Sequence, residues 1–244
     1  CKDCDLIIIT AGRNRKPGET RLDLIAGNSA ILKNVVGQMK PHYTKGVIMI
    51  VSNPVDVLVY QCTKWMGLPN GMVFGTGCIL DSSRFTRLIA DYTRLNTEVV
   101  KATIVGEHGD AQIPIWSRVS IAGVPIQEYC ENVGLRWGEN IRKDISDKVR
   151  EMGATIIKGK GRTHYGIATC VCYLAEAVLN QRLTIAPVST MFQGEYGIED
   201  VCLSVPSIIG VNGVEKRLEE RWAEEEFLAF RQAAEKMRNV LKTL

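Results

Sequence analysis

The sequence predicts an α/β fold in which the later strands of a doubly wound parallel sheet lead into an α+β unit. Three observations carry this reading. Short β-branched runs at residues 6–10 and 46–51 alternate with helical periodicity over 22–40 and 55–65. Such alternation implies right-handed crossovers between parallel strands. Beyond residue 180 the pattern changes to closely spaced strand-like runs with a turn signal, as antiparallel strands show.

The elements follow in order. Residues 6–10 are a continuous apolar strand, and the loop over 11–20 holds Gly12, Pro17 and Gly18. Leu22, Ile25, Ser29, Leu32, Val36 and Met39 recur at steps of three and four, so a helix runs to about Lys40, where Pro41 stops it. Residues 46–51 form the second strand, followed by Ser52-Asn53-Pro54 and a helix over 55–65 that closes at Gly67 and Pro69. A short strand over 72–74 breaks at Gly75-Thr76-Gly77. The helix over 79–94 has Phe85, Leu88, Ile89 and Tyr92 on its core face, and a β-branched strand over 99–105 ends at Gly106. Residues 120–122 and 124–126, hinged at Gly123, predict a hairpin. Helices follow over 141–156 and 163–179. The runs 182–188, 201–205 and 208–211 predict antiparallel strands, with Asn212-Gly213 as a turn. The last helix carries Phe227, Phe230, Ala234, Met237 and Leu241 on one stripe. Its acidic residues start it and its basic ones end it, as the helix dipole favours.

Composition narrows the function classes. The 244 residues are 45% hydrophobic and 23% charged, which suits one large domain or two modest ones. Thirty Lys and Arg against 27 Asp and Glu leave +3, too weak a field to argue for nucleic acid or a membrane surface. No apolar run reaches the roughly 18 residues of a membrane span. Of eight cysteines, Cys62, Cys78, Cys170, Cys172 and Cys202 sit among apolar neighbours, as buried free thiols of a reducing, cytoplasmic compartment do. Cys1-x-x-Cys4 has no second pair to complete a metal site. The chain opens directly on a core strand of parallel type, and such strands need neighbours on both sides. The expectation is therefore a fragment whose upstream portion is missing.

The chemistry-bearing residues converge on one histidine of three. His108 lies in Gly106-Glu107-His108-Gly109-Asp110, at the mouth of a buried strand and between glycines that let the backbone approach a ligand. An imidazole there exchanges protons near neutral pH, though a satisfied turn histidine fits as well. Asp81 and Arg84 lie at i and i+3 on one helix. A surface pair of that spacing contributes about 0.2–0.5 kcal/mol. Alternatively, the carboxylate orients an imidazole and the guanidinium grips a substrate carboxylate through two bonds. Arg13, Arg15, Lys16 and Arg21 crowd the loop after the first strand. They make either a solvated loop or a lid over an anion, and a position after a parallel strand's carboxyl end favours the lid. Asn53 ends the next strand at the same edge.

Six stretches in order carry a resemblance that covers the chain: Thr10-Ala11-Gly12, Gly18-Glu19-Thr20-Arg21-Leu22-Asp23-Leu24, Val51-Ser52-Asn53-Pro54-Val55-Asp56, Leu80-Asp81-Ser82-Ser83-Arg84-Phe85, Gly106-Glu107-His108-Gly109-Asp110 and Leu203-Ser204-Val205-Pro206. The sequence resembles the lactate/malate dehydrogenase family. The resemblance implies that residues 1–76 are the remainder of a dinucleotide-binding Rossmann domain without its first strands, and that 77–244 are an α+β catalytic and substrate domain. It implies an NAD-dependent oxidoreductase acting on a small 2-keto or 2-hydroxy acid, with no nucleic acid or membrane partner, and a homodimer or homotetramer. The Gly-x-Gly-x-x-Gly fingerprint and the acidic residue that reads the ribose do not occur, so NAD rather than NADP rests on family habit.

By the same resemblance, His108 is the acid/base at the keto oxygen and Asp81 its orienting partner. Arg84 clamps the substrate carboxylate, and Arg21 polarises the carbonyl. Asn53 bonds near both substrate and nicotinamide, while Thr10, Ala11, Gly12 and Val51 line the cofactor cleft. Arg15, six residues before the lid arginine, faces the substrate's variable end; malate-type members carry arginine there and lactate-type members glutamine. Leaving that charge buried against pyruvate's methyl would cost about 3–5 kcal/mol. Arg15 therefore favours malate and oxaloacetate. Thr163, a residue of lactate-type members, favours the alternative, L-lactate dehydrogenase. A non-catalytic oligomerising fragment is the reading of another class, and the presence of all six polar site residues speaks against it.

Overall fold

The computed structural model describes residues 1–14, 21–161 and 163–244, the first two residues of the first helix by their backbone alone. Strands β1 (Leu6–Ile9), β2 (Val47–Ile50) and β3 (Val73–Gly75) pair in parallel, Leu6 with Val47 and Ile48 with Val73. Helices α1 (Arg21–Met39) and α2 (Val55–Met66) make the crossovers. All four residues of β2 are buried, which explains why the strand reads as one apolar run. Its side chains alternate between two cores. Ile48 and Ile50 pack with Leu32, Val36, Leu58 and Val59 of the crossover helices. Val47 and Met49 pack with Leu174, Ala177 and Val178 of α6 (Tyr165–Leu179).

The sheet does not stop at β3. Gly75 pairs antiparallel with Ser189 of β9 (Thr184–Gln193), which pairs with β10 (Glu199–Gly210). Then come β5 (Ile104–Gly106) and β6 (Gln112–Pro114), while β11 (Gly213–Arg217) also pairs with β10. The result is a single mixed sheet, in which the parallel strands expected from the sequence form one end. The runs 201–205 and 208–211 fuse into β10, whose Pro206 sits opposite Pro187, both lacking a ladder N–H. The turn at Asn212-Gly213 leads into β11, which the sequence reading did not include because three of its five residues are Glu, Lys and Arg.

The β-branched run over 99–105 is two strands. Val100–Lys101 is β4, joined in a separate three-stranded sheet to β7 (Ser120–Ile121) and β8 (Val124–Pro125). The carbonyl of Thr103, between the two pieces, accepts the N–H of Ile115, so the chain leaves one sheet and enters the other there. The expected hairpin about Gly123 is β7–β8, but Ile126 already begins α4 (Ile126–Val133). Helices α3 (Ile79–Thr93) and α5 (Glu139–Lys160) enclose a core with Phe85, Ile89, Ile104, Ile145 and Val149. Helix α7 (Glu224–Leu241) closes a fourth core on the far side of β10. Its N-terminus is fixed by Glu226, which accepts the N–H of Ala223 at 3.0 Å and of Ser117 at 2.9 Å.

All eight thiols are free. Cys62, Cys78, Cys130, Cys170 and Cys202 are buried, whereas Cys172, expected inside, is exposed. It lies two residues from Cys170 on α6, and positions two apart on a helix face different ways. Among the described residues, no helix is long and apolar enough to cross a membrane.

Phe230 is fully buried, with ring centroids 5.2 Å from Trp222, 5.5 Å from Tyr196 and 5.9 Å from Phe192. Phe230→Ala should lower the unfolding free energy in urea by about 3–5 kcal/mol, and Phe230→Leu by less.

Candidate active site

Four strands share one row. Gly75 is level with Ser189, Ser189 with Ser204, and Ser204 with Gly106. The chain leaves this row twice, from Gly75 into α3 and from Gly106 into the His108 loop. Asp81 and His108 are 27 residues apart in sequence and meet because both exits start level. The exits are pinned to the sheet beneath. A Cβ at Gly77 would lie 2.3 Å from Ser204 Oγ and 2.5 Å from the Ser189 backbone nitrogen, and φ there is +51°, so only glycine passes. The Cys78 N–H then donates to Ser204 Oγ at 3.2 Å, and the Ile104 N–H to Ser82 Oγ at 2.9 Å. Gly106 turns the chain at φ +90°.

His108 Nδ1 lies 2.6 Å from Asp81 Oδ2, and Arg84 Nη1 donates to Asp81 Oδ1 at 3.3 Å. The Asp81 side chain is 5% exposed, Arg84 14% and His108 25%. The i,i+3 pair is thus no surface salt bridge: it is sealed by the histidine loop. Burial is the largest influence on the Asp81 carboxyl and pushes it up. The hydrogen bond and charge of His108, then Arg84, outweigh it and hold Asp81 below the usual carboxylate range. Burial likewise pushes His108 down most strongly, but the Asp81 bond and charge, joined by the charge of Asp56, leave the imidazole above its ordinary value. The signs define a window. Stability from the lowered Asp81 is lost as pH falls through that pKa, and stability from the raised His108 is lost as pH rises through its own. The pair stabilises the fold between the two.

His108 lines a cleft of about 530 Å³. Thr10, Gly12, Val51 and Asn53 line it where β1 and β2 end, Asp81, Arg84 and His108 line its floor, and Thr163 lines the opposite wall with Arg150, Gly153 and Ala154 of α5. Ala11, expected there, does not line it: its carbonyl is engaged by the hydroxyl of Ser52, which lines the cleft in its place and donates at 2.7 Å. Arg15 and the side chain of Arg21 lie outside the described residues. A protonated imidazole backed by a buried carboxylate, beside a guanidinium, can donate a proton to an anion-bearing ligand.

Sequence reasoning gave no role to Asn28 or Asp56. Asn28 is 1% exposed and donates to the Asn53 carbonyl at 2.6 Å and the Arg13 carbonyl at 3.1 Å, fixing the loops after β1 and β2 to each other. The signal was its place three after Ile25 and four before Leu32, a polar residue on an apolar stripe. Asp56 is 2% exposed beneath His108. Standing in the first turn of a helix beside Asn53-Pro54, it reads from sequence as an ordinary acidic residue of a helix start.

The chain is similar to known proteins over its whole length. Residues 1–75 match the model of the lactate/malate dehydrogenase NAD binding domain, and residues 78–244 that of the lactate/malate dehydrogenase alpha/beta C-terminal domain. An L-lactate dehydrogenase of Acetivibrio thermocellus is 38% identical over all of this chain and 78% of its own length. One of Thermoanaerobacterium saccharolyticum is 41% identical with the same coverage. The crystal structure of a minor L-lactate dehydrogenase from Enterococcus mundtii in a ligand-bound form superposes with a TM-score of 0.95 at 38% identity, covering 100% of this chain and 77% of that one. With both domain models matched and similarity to such enzymes along the whole of this chain, the chain belongs to the lactate/malate dehydrogenase family.

Proposed function

We propose that this protein interconverts an L-2-hydroxy acid and its 2-keto acid with NAD(H), and that the pair is L-lactate and pyruvate. One observation carries the reaction: His108 Nδ1 is held by Asp81 beside Arg84, on the floor of a cleft walled by strand ends. The relatives named L-lactate dehydrogenase support the substrate, and they favour that alternative over the malate preference drawn from Arg15.

The residues present fit the nicotinamide end of NAD. Gly12 and Ser52 form a close wall, where a Cβ at Gly12 would meet Ser52 Cβ at 3.2 Å, so a flat ring can lie against backbone and small side chains. Thr10, Gly12, Val51 and Asn53 would hold that end. When bound, NAD supplies the hydride, which no side chain can. The chain's own residues do the rest. Arg84 grips the substrate carboxylate with donors not used on Asp81, which fixes the keto carbon in place. Charge then grows on the keto oxygen, and the proton on His108 meets it in a site poor in water. Oxidation reverses the transfer, and Asp81 keeps Nδ1 protonated throughout. Arg21, by resemblance, adds a second positive charge at the oxygen.

Arg15 supports a second reading, malate and oxaloacetate. A guanidinium under a closed lid pairs with a second carboxylate and rejects a methyl group. NADH oxidation with pyruvate and oxaloacetate side by side separates the two. The lactate reading expects higher kcat/KM with pyruvate, and little change in that order on Arg15→Gln. A preference for oxaloacetate that Arg15→Gln reverses would establish the second reading instead.

His108→Asn should lower kcat with either acid by about 10²–10⁴-fold while NADH still binds, as read by nicotinamide fluorescence. Asp81→Asn removes the charge that raises His108. Keto-acid reduction needs the protonated ring, so its alkaline decline should begin at lower pH in this variant than in the parent.

A further inference from the structure

A second carboxylate lies beneath His108. Asp56 is in the first turn of α2, 2% exposed, and its two oxygens hold different parts of the molecule. Oδ2 accepts the backbone N–H of His108 at 2.8 Å, and Oδ1 accepts the hydroxyl of Ser189 at 2.5 Å. Helix α2, strand β9 and the His108 loop thus meet on one side chain. The helix N-terminus favours negative charge there. Asp81 holds the imidazole ring, whereas Asp56 holds the backbone that carries it. A neutral amide could accept one N–H equally well, so a carboxylate, costly to bury, calls for a role that uses its charge.

We propose that Asp56 is a positioning residue for the reaction, fixing the His108 backbone so that the ring stays on Asp81 and supplying a second negative charge that favours the protonated ring. This rests on the reading of His108 as the proton donor. The charged groups around the ring are Asp81 and Arg84 from α3, Asp56 from α2, Asp110 from its own loop, and Arg150 and Arg13 from the cleft walls, while the neighbouring Glu107 lines a separate cavity with Lys236. The Arg84 charge opposes protonation, and Asp81 and Asp56 favour it.

The test uses NMR and kinetics on the same protein. Asp56→Asn keeps the shape and can still accept the His108 N–H, but it removes the charge. The imidazole titration of His108, identified by its loss in His108→Asn, should move to lower pH in Asp56→Asn. Keto-acid reduction should fall on the order of tenfold at about pH 8 and by under twofold at about pH 6. In the parent protein, the ¹³C carboxylate resonance of Asp56 should step at the pH where His108 titrates, a readout independent of how the variant folds. A variant that melts earlier but keeps the parent titration and pH profile would overturn the proposal. So would an Asp56 resonance that ignores the His108 titration. If neither acid is reduced while the titration still moves, the reading of the reaction fails and the coupling stands.

Discussion

A carboxylate taken out of water must be met by positive charge and hydrogen bonds, and Asp81 obliges much of this molecule to arrange itself accordingly. Its two oxygens need His108 from a loop and Arg84 from its own helix. To supply them, α3 must leave the sheet level with β5. That requires β9 and β10 to intervene between β3 and β5 with their serines in one row. Gly77 then has to pass where no side chain fits. The tight turn, the serine row and the helix start all serve one buried charge.

The mixed sheet divides the labour. Parallel strands end together, and the loops after β1 and β2 present backbone and small side chains along one wall. The antiparallel part can bring in a strand from a distant segment, and β5 delivers His108 in this way. The single sheet between them makes the distance from the β1 and β2 loops to His108 a property of strand register, with little left to loop conformation.

Much of this was legible in the sequence. The crossover helices, the buried strand β2 and the final helix follow periodicity, because each buries one continuous face. Asp81, Arg84 and His108 were legible as a set through their motifs, and the structure brings them together. What escaped depended on partners far along the chain. The run over 99–105 looks uniform, yet its halves join different sheets, since the choice is made by Ile115 and Ile121 rather than by the run itself. Strand β11 escaped because only Gly213 and Val214 are buried apolar positions, while its Glu, Lys and Arg hide the strand pattern. Asp56 escaped because a carboxylate at a helix start is ordinary until the histidine above it is known.

The free thiols have a consequence for how the fold can be watched. Burial pushes Cys62 up to about 12 and Cys78 and Cys202 well above the ordinary thiol range, so none is a thiolate in the closed protein. They are spread over separate cores: Cys62 on the inner face of α2 with Cys202 of β10, Cys170 on the inner face of α6, and Cys78 and Cys130 in the core of Phe85. The core around Phe230 holds none. An electrophile takes the exposed Cys1 and Cys172 at once, but it reaches each buried thiol only when its region opens, and the order of that later labelling records which part of the molecule breathes first. The buried thiols are a set of local clocks, silent in the native state and placed in three of the four cores.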